Sequence, residues 1–332
     1  MYKPIFSFAP MEGITGYPFR NTFHTFFPEV NRYYTPFLSA NESFVFTGRE
    51  RRDVEPSNNP SIDLIPQIIT SNAEMFVFAI EEMTKRGYRE VNLNLGCPYR
   101  TVVAKGKGSG MLRDPDQLDD FFESCFQMIR QKELHVALSI KTRIGIRSAE
   151  EFPRLISVFN HYSFKNIIVH PRLQHDFYKN SVNMDAFHAL QSESRSPVSY
   201  NGDLNSVADL EYLLAQEPSL PEVMLGRGLL RNPALLREYL GGPRANTNEL
   251  KEYAAALYNA YDAEMDGDVR NILFKMKEFW SYLSQGFSGG ERAMKEIRKA
   301  QTKEEYRSAV RNLFASCTWS PEERFTLLEE KS

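Results

Sequence analysis

Cysteine is scarce in this sequence: Cys97, Cys125 and Cys317 are the only three among 332 residues. Three thiols cannot build a disulfide framework, and their spacing matches no metal site, so no metal is expected. Reduced cysteines fit the cytoplasm. Long apolar runs are also missing, since none approaches the roughly 20 residues a membrane-spanning helix needs. The N-terminus shows no charged-then-apolar leader and enters an apolar stretch directly at Ile5 and Phe6, which again points to the cytoplasm. Charge of one sign does not dominate. A formal net charge of −3 argues against a uniformly basic, nucleic-acid-covering surface. It leaves room for local patches: Arg49, Arg51 and Arg52; Lys105 and Lys107; and Arg292, Lys295, Arg298, Lys299 and Lys303. Each such run by itself is equally a solvated face. No strand-like run leads through a G-x-G-x-x-G turn into a helix, which weighs against an open dinucleotide-binding sheet.

What is present is a regular alternation. Short apolar runs, several of them β-branched, recur at Ile5–Pro10, Tyr33–Ala40, Leu64–Ile69, Glu90–Gly96, Val136–Arg143, Asn166–Arg172, Val198–Asp203 and Glu222–Arg227. Runs of this kind suit strands buried on both faces. Helix-start signals lie between them. Ser71 precedes Glu74 and Ser148 precedes Glu151 at capping-box spacing, and Asp114-Pro115 and Asn232-Pro233 pair a cap with proline at the first helical position. Eight strands with helical connections predict an α/β fold, a (β/α)8 TIM barrel, over a doubly wound open sheet. Gly241-Gly242-Pro243 ends the alternation. Beyond it the periodicity is helical, with starts at Thr302/Glu305 and Ser320-Pro321/Glu323. The expected organisation is a barrel domain over 1–242 and a bundle of about four helices over 243–332.

Polar residues interrupt the apolar runs, mostly near their C-terminal ends: Met11 and Glu12 after the first, Gln67 in the third, then Asn92, Asn94 and Cys97, Lys141 and Arg143, His170 and Arg172, Asn201 and Asp203, Gly226 and Arg227. In a (β/α)8 barrel those ends form the face on which active sites are built. Unpaired buried polar groups cost roughly 1–3 kcal/mol each, so six strands doing this at one end is poorly explained by packing. Asn201-Gly202-Asp203 and Gly226-Arg227-Gly228 place glycines where backbone can approach a ligand, at the two loops that often bind phosphate in barrels. Arg227 supplies a cation for it. Lys141 and His170 would face the body of the ligand. A cation there suits the N1–O2 edge of a flavin, and Gln67, donor and acceptor at once, suits its N3–O4 edge.

The sharpest motif is Asn94-Leu95-Gly96-Cys97-Pro98. Cys125, flanked by Phe121, Phe122 and Phe126, reads as a structural cysteine. Cys97 sits just past the fourth strand, on the functional end. Together with Ala9-Pro10-Met11-Glu12-Gly13, Gly108-Ser109-Gly110, Lys141-Thr142-Arg143, His170-Pro171-Arg172, Asn201-Gly202-Asp203 and Gly226-Arg227-Gly228, this motif resembles the tRNA-dihydrouridine synthases over nearly the whole chain. The stretch Lys277–Leu283 is similar to the bacterial group that modifies the D-loop. The resemblance implies an FMN-binding barrel followed by a helical tRNA-binding domain, with NADPH as reductant. It implies Cys97 as the general acid and cofactor contacts at Pro10, Met11, Gln67, Lys141, His170, Asn201, Gly202, Asp203, Gly226 and Arg227. Asn94, Arg143 and Tyr178 are implied near the target base, and Lys105 and Lys107 are expected at the RNA backbone. The partner is tRNA, the expected state a monomer.

Reducing the C5–C6 bond of a uridine needs a hydride at one carbon and a proton at the other. A thiol with an ordinary pKa near 8.5 is mostly protonated at neutral pH and can serve as that acid. A nucleophilic role would instead need a neighbouring cation to form thiolate, for which Lys105 and Lys107 are candidates. The alternative function is a small-molecule flavin barrel, a dihydroorotate or dihydropyrimidine oxidoreductase, which would leave the C-terminal helices without an obvious task.

Overall fold

A computed structural model describes residues 3–39 and 44–321. Nine strands form one sheet: β1 (Ile5–Phe8), β2 (Arg32–Tyr34), β3 (Asp63–Ile65), β4 (Gln67–Ile68), β5 (Glu90–Leu95), β6 (Ala137–Arg143), β7 (Asn166–His170), β8 (Val198–Asn201) and β9 (Glu222–Leu225). Their order is β3-β2-β1-β9-β8-β7-β6-β5-β4, and the pairings run parallel. The two outer members, β3 and β4, are one stretch of chain divided at Pro66. Proline has no N–H for the ladder, but its carbonyl still accepts from Asn92 N at 2.9 Å. Counting β3 and β4 as one, the ring has eight strands, and the (β/α)8 expectation holds.

The chain divides into two compact units. The first, residues 1–10, 32–202 and 219–224, carries the sheet. All six residues of β5 are buried, as expected of a parallel strand covered on both faces. Ala9, Tyr34, Ile65, Ile168 and Met224 form a buried apolar cluster from five different segments. Helices of this unit start where the local chemistry allows. Asp114 caps Pro115–Gln131 by accepting from Asp116 N and Gln117 N, and Ser148 with Glu151 forms the expected capping box. At Ala73–Lys85 the cap is Asn72, accepting from Met75 N, rather than Ser71. The Asn side chain, one residue nearer the helix, reaches that donor directly.

The second unit, residues 11–31, 203–218 and 225–332, is mainly helical among its described residues, with one short antiparallel pair of strands, Phe287–Ser288 and Thr318–Trp319. Helix Tyr17–Phe26 lies on helix Thr247–Glu264 through Phe23 and Phe27, whose rings meet Tyr253 edge-on at 6.2 and 5.3 Å. Helices Thr247–Glu264, Val269–Leu283, Gly290–Lys299 and Lys303–Ser316 follow one another, four as the periodicity predicts. The Thr302/Glu305 capping box is present, and the start expected at Ser320-Pro321/Glu323 falls partly outside the described residues. Trp280 Nε1 donates to the buried Tyr306 hydroxyl at 2.9 Å, which satisfies the indole at no cost to its packing. Among the described residues no helix is long and apolar enough to cross a membrane.

Candidate active site

Register builds the centre of the site. In the sheet Gln67 pairs with Asn92, Asn92 with Ser139, and Asn94 with Lys141. Successive side chains on a strand alternate faces, so Asn92 and Asn94 share one face of β5, and Ser139, Lys141 and Arg143 share one face of β6. A buried chain of amides results. Asn94 Nδ2 donates to Gln67 Oε1 at 2.7 Å, Gln67 Nε2 to Asn92 Oδ1 at 2.8 Å, and Asn92 Nδ2 to Ser139 Oγ at 3.0 Å. Every link is satisfied, so polar groups that would be expensive alone hold the strand ends in one arrangement.

The same network shapes the cysteine loop. Asn94 Oδ1 accepts from Gly96 N at 3.0 Å and Cys97 N at 2.9 Å, turning the chain at the end of β5. The carbonyl of Cys97 accepts from Ser109 Oγ at 2.9 Å and Ser109 N at 3.1 Å. Gly108 makes this possible. Its φ is +58°, and a Cβ there would stand 2.9 Å from the Cys97 carbonyl oxygen. Cys97 is 8% exposed, and its thiol interacts electrostatically with both Lys141 and Arg143. The Lys141 ammonium makes no hydrogen bond or ion pair with any described residue. Burial, reinforced by Arg143, brings its pKa down to about 7.

Arg143 is bound up in backbone. Its Nε donates to Gly96 O at 3.0 Å, Nη1 to Leu173 O at 2.8 Å and Nη2 to Phe177 O at 2.9 Å. It thus clamps the cysteine loop to the segment after β7. That segment turns at Phe177, which has a positive φ of +51°, and presents Tyr178, 41% exposed. The Tyr178 ring stacks on His170 at 6.1 Å and lies under the Arg143 guanidinium at 5.7 Å. Arg172 Nη1 sits 3.0 Å from His170 Nε2. A guanidinium only donates, so Nε2 accepts and the proton of the neutral ring resides on Nδ1. Asn201 donates Nδ2 to Met224 O at 2.8 Å. Gly202 follows in a crowded spot, where a Cβ would meet Val182 at 2.9 Å and the His170 ring at 3.3 Å.

Gln67, Asn94, Cys97, Lys141, Arg143, His170, Tyr178, Asn201 and Gly202 therefore lie at or just beyond the C-terminal ends of consecutive strands in the first unit. Pro10 follows β1, half-buried. Lys105 is exposed, while Lys107 is half-buried and donates to Ser39 Oγ at 3.4 Å. The cations that sense the Cys97 thiol are Lys141 and Arg143. In the second unit Met11 anchors a turn, its N donating to Thr15 Oγ1 at 2.9 Å and its carbonyl accepting from Ile14 N and Thr15 N. Arg227 pairs with Asp203 at 2.8 Å, and Gly226 precedes the helical turn Arg227–Arg231. Gly228 allows that turn to touch the Leu204 backbone, since a Cβ would be 2.0 Å from Leu204 O. Sequence reasoning left Ser139 out of the candidate site, placed Arg172 at the strand end without giving it a role, and did not single out Ser109 within its motif. Two-residue spacing from Lys141 would have marked Ser139. Ser109 gives no periodic signal.

Fold and site together define a barrel enzyme whose strand ends carry a shielded thiol beside a buried amine. The chain belongs to the dihydrouridine synthase family: the family model described as dihydrouridine synthase (Dus) matches residues 7–327. It is 25% identical over 324 residues to a probable tRNA-dihydrouridine synthase of Staphylococcus aureus, covering 93% of this chain and 92% of that protein. It is 25% identical over 294 residues to tRNA-dihydrouridine synthase B of Shewanella oneidensis, covering 83% and 85%. Among solved structures it is similar to a morphinone reductase in complex with tetrahydroNAD, with a TM-score of 0.52, 8% identity, and coverage of 73% of this chain and 88% of that one. That likeness concerns the fold.

Proposed function

We propose that this chain is a tRNA-dihydrouridine synthase that reduces the C5–C6 bond of a specific uridine, with Cys97 as the proton donor. The observation that carries the reading is the Cys97–Lys141 pair on the end of the sheet, in a chain whose relatives bear that name. The barrel residues suit a flavin. An ammonium disfavoured by burial, with no carboxylate partner among the described residues, is costly unless a ligand supplies negative charge, as the N1–O2 edge of a reduced flavin does. Gly202 lets the backbone pack closely against Val182 and the His170 ring, which fixes the position of that imidazole. FMN held there would supply the hydride, with NADPH as its reductant.

The chain's own groups do the rest. Lys141 and His170 bind and orient the cofactor, with Gln67, Asn201, Gly202 and Pro10 around it. Gln67 is held in place by Asn92 and Asn94. Within the second unit Arg227, paired with Asp203, is proposed as a cation for a phosphate. Cys97 delivers its proton to C5 of the base from a thiol largely shielded from water. Asn94 and Arg143 shape the pocket for the base by fixing the loops that bear Cys97 and Tyr178. Tyr178 offers an exposed ring on which an extruded base can stack. Lys105, exposed, and Lys107 contact RNA phosphates. The division of labour follows residues 1–242 for catalysis and 243–332 for tRNA, in a monomer working in the cytoplasm.

Mapping dihydrouridine by mass spectrometry in tRNA from cells with and without this protein tests the proposal. Loss of dihydrouridine at a defined position supports it. An unchanged map, together with turnover of free uracil or orotate by the pure protein, would replace it with the small-molecule reading.

A further inference from the structure

Within the helical unit, helices Thr247–Glu264 and Lys303–Ser316 bound a cleft of about 370 Å³, a size typical of small-ligand sites. The first helix lines it with Lys251, Ala255, Tyr258 and Asn259, and the second with Tyr306, Arg307, Arg311 and Phe314. On both helices these residues recur at three-, four- and seven- to eight-residue steps, which is one face of each. Such faces normally interlock. Here Ala254, Ala255 and Ala315 stand among the lining residues, and these small side chains leave the gap open.

Three features give the cleft a chemical character. Its charged lining residues are Lys251, Arg307 and Arg311, all positive, in a chain of net charge −3. Its aromatic rings are fixed: Tyr258 stacks on Tyr306 at 5.4 Å with 23° between planes, and Phe314 is braced edge-on by Trp280 at 5.8 Å. Finally, the Tyr258 hydroxyl is buried, on a residue 4% exposed, and has no hydrogen-bond partner among the described residues. A buried hydroxyl left unpaired costs stability, and this one belongs to a residue lining the cleft. Rigid aromatic rings, cations and unspent polar groups are the chemistry that takes up a single nucleotide. The base stacks on the rings, its edge meets hydroxyl and amide, and its phosphate meets arginine.

We propose that this cleft binds one unstacked nucleotide of the RNA substrate, at a place distinct from the target uridine. The base lies against Phe314, in place of the exposed Lys251 ammonium now 5.5 Å over that ring, with its edge on Tyr258 Oη and Asn259, and its phosphate lies between Arg307 and Arg311. This rests on the RNA-modifying reading and adds to it a second recognition point that requires no chemistry.

The test compares the full-length wild-type protein with Ala255→Trp, which fills the cleft, Tyr258→Phe, which removes the orphan hydroxyl, and Arg311→Ala. Binding of an unmodified tRNA transcript is read by fluorescence anisotropy across a salt series, turnover by dihydrouridine formation, and free-nucleotide binding by titration with adenosine and uridine 5′-monophosphates. Ala255→Trp is expected to raise KM for tRNA at least about tenfold, the scale of one lost base stack, with kcat within about twofold. Tyr258→Phe is expected to weaken RNA binding while leaving the melting temperature of the free protein unchanged or higher, the opposite of a structural hydroxyl. Arg311→Ala lowers the slope of log affinity against log salt by about 0.7, one single-strand phosphate contact. RNA affinity and KM unaffected by Ala255→Trp and Tyr258→Phe would overturn the proposal. A mononucleotide that binds the wild type and not Ala255→Trp, with RNA affinity unaltered, would assign the cleft to a free nucleotide and equally overturn it. A wild-type protein that neither binds nor modifies tRNA would bring down the functional reading, and this one with it.

Discussion

Replacing Lys141 with methionine keeps most of the side chain's volume and removes its amine. Burial brings that amine from an ordinary 10.5 down to about 7, and a displacement of that size corresponds to about 4–5 kcal/mol at roughly 1.4 kcal/mol per pKa unit. Lys141 is only partly sealed from solvent, so about 2–4 kcal/mol is the working figure. The sign follows from where each state releases its proton. Below pH 7 both folded and unfolded chains carry the charge, and the folded state bears the full burial penalty. Between about 7 and 10.5 the folded amine is already neutral while the unfolded one is still protonated, so wild-type stability rises through this window. Flavin-free Lys141→Met should therefore be more stable than wild type by about 2–4 kcal/mol at pH 6. The gap should close as pH approaches 10.5. Denaturant unfolding of both proteins from pH 6 to 10 measures it. The same variant should bind flavin more weakly, because the group that stabilises reduced cofactor is gone. A variant no more stable at pH 6, or a gap that does not change with pH, would refute the claim that Lys141 is an uncompensated buried amine.

Three further substitutions probe the framework. Arg143→Ala leaves the carbonyls of Gly96, Leu173 and Phe177 without their donor. It should cost about 3–5 kcal/mol and open the segment around Phe177 to limited proteolysis, an effect absent if the clamp is dispensable. Gly228→Ala drives a Cβ into the Leu204 carbonyl at 2.0 Å and should yield insoluble protein or lose more than about 3 kcal/mol. Gly87→Ala, with φ of +90° and open space around it, should cost only about 1 kcal/mol by thermal melting.

Strand positions were legible because short apolar runs bounded by turn residues carry their own signature, and all eight runs overlap strands of the ring, the second, Tyr33–Ala40, only at Tyr33 and Tyr34. The break at Pro66 was not, since a proline between β3 and β4 leaves the hydrophobic pattern intact and removes only a hydrogen-bond donor. Helix starts were read where the cap was unambiguous, at Asp114 and Thr302. Where Ser71 and Asn72 stood side by side, sequence could not say which would reach the helix. Among site residues, position was legible and partnership was not. Alternation places Asn94 and Arg143 at the strand ends. It cannot show that Asn94 is tied to Gln67 on β4 or that Arg143 holds carbonyls of the cysteine loop and of the segment after β7, because those partners lie on other segments of chain. Periodicity likewise reports helices one at a time, so the packing of Tyr17–Phe26 against Thr247–Glu264 was hidden across more than two hundred residues of chain.

The proton donor is the centre of the account, and a single-turnover experiment isolates it. Enzyme carrying pre-reduced flavin is mixed with unmodified tRNA, and flavin oxidation is followed optically for wild type and Cys97→Ala. The account predicts equal flavin content in the two proteins and a rate lower by about 10²–10⁴-fold in the variant, the range for loss of a positioned acid. Equal rates would contradict it.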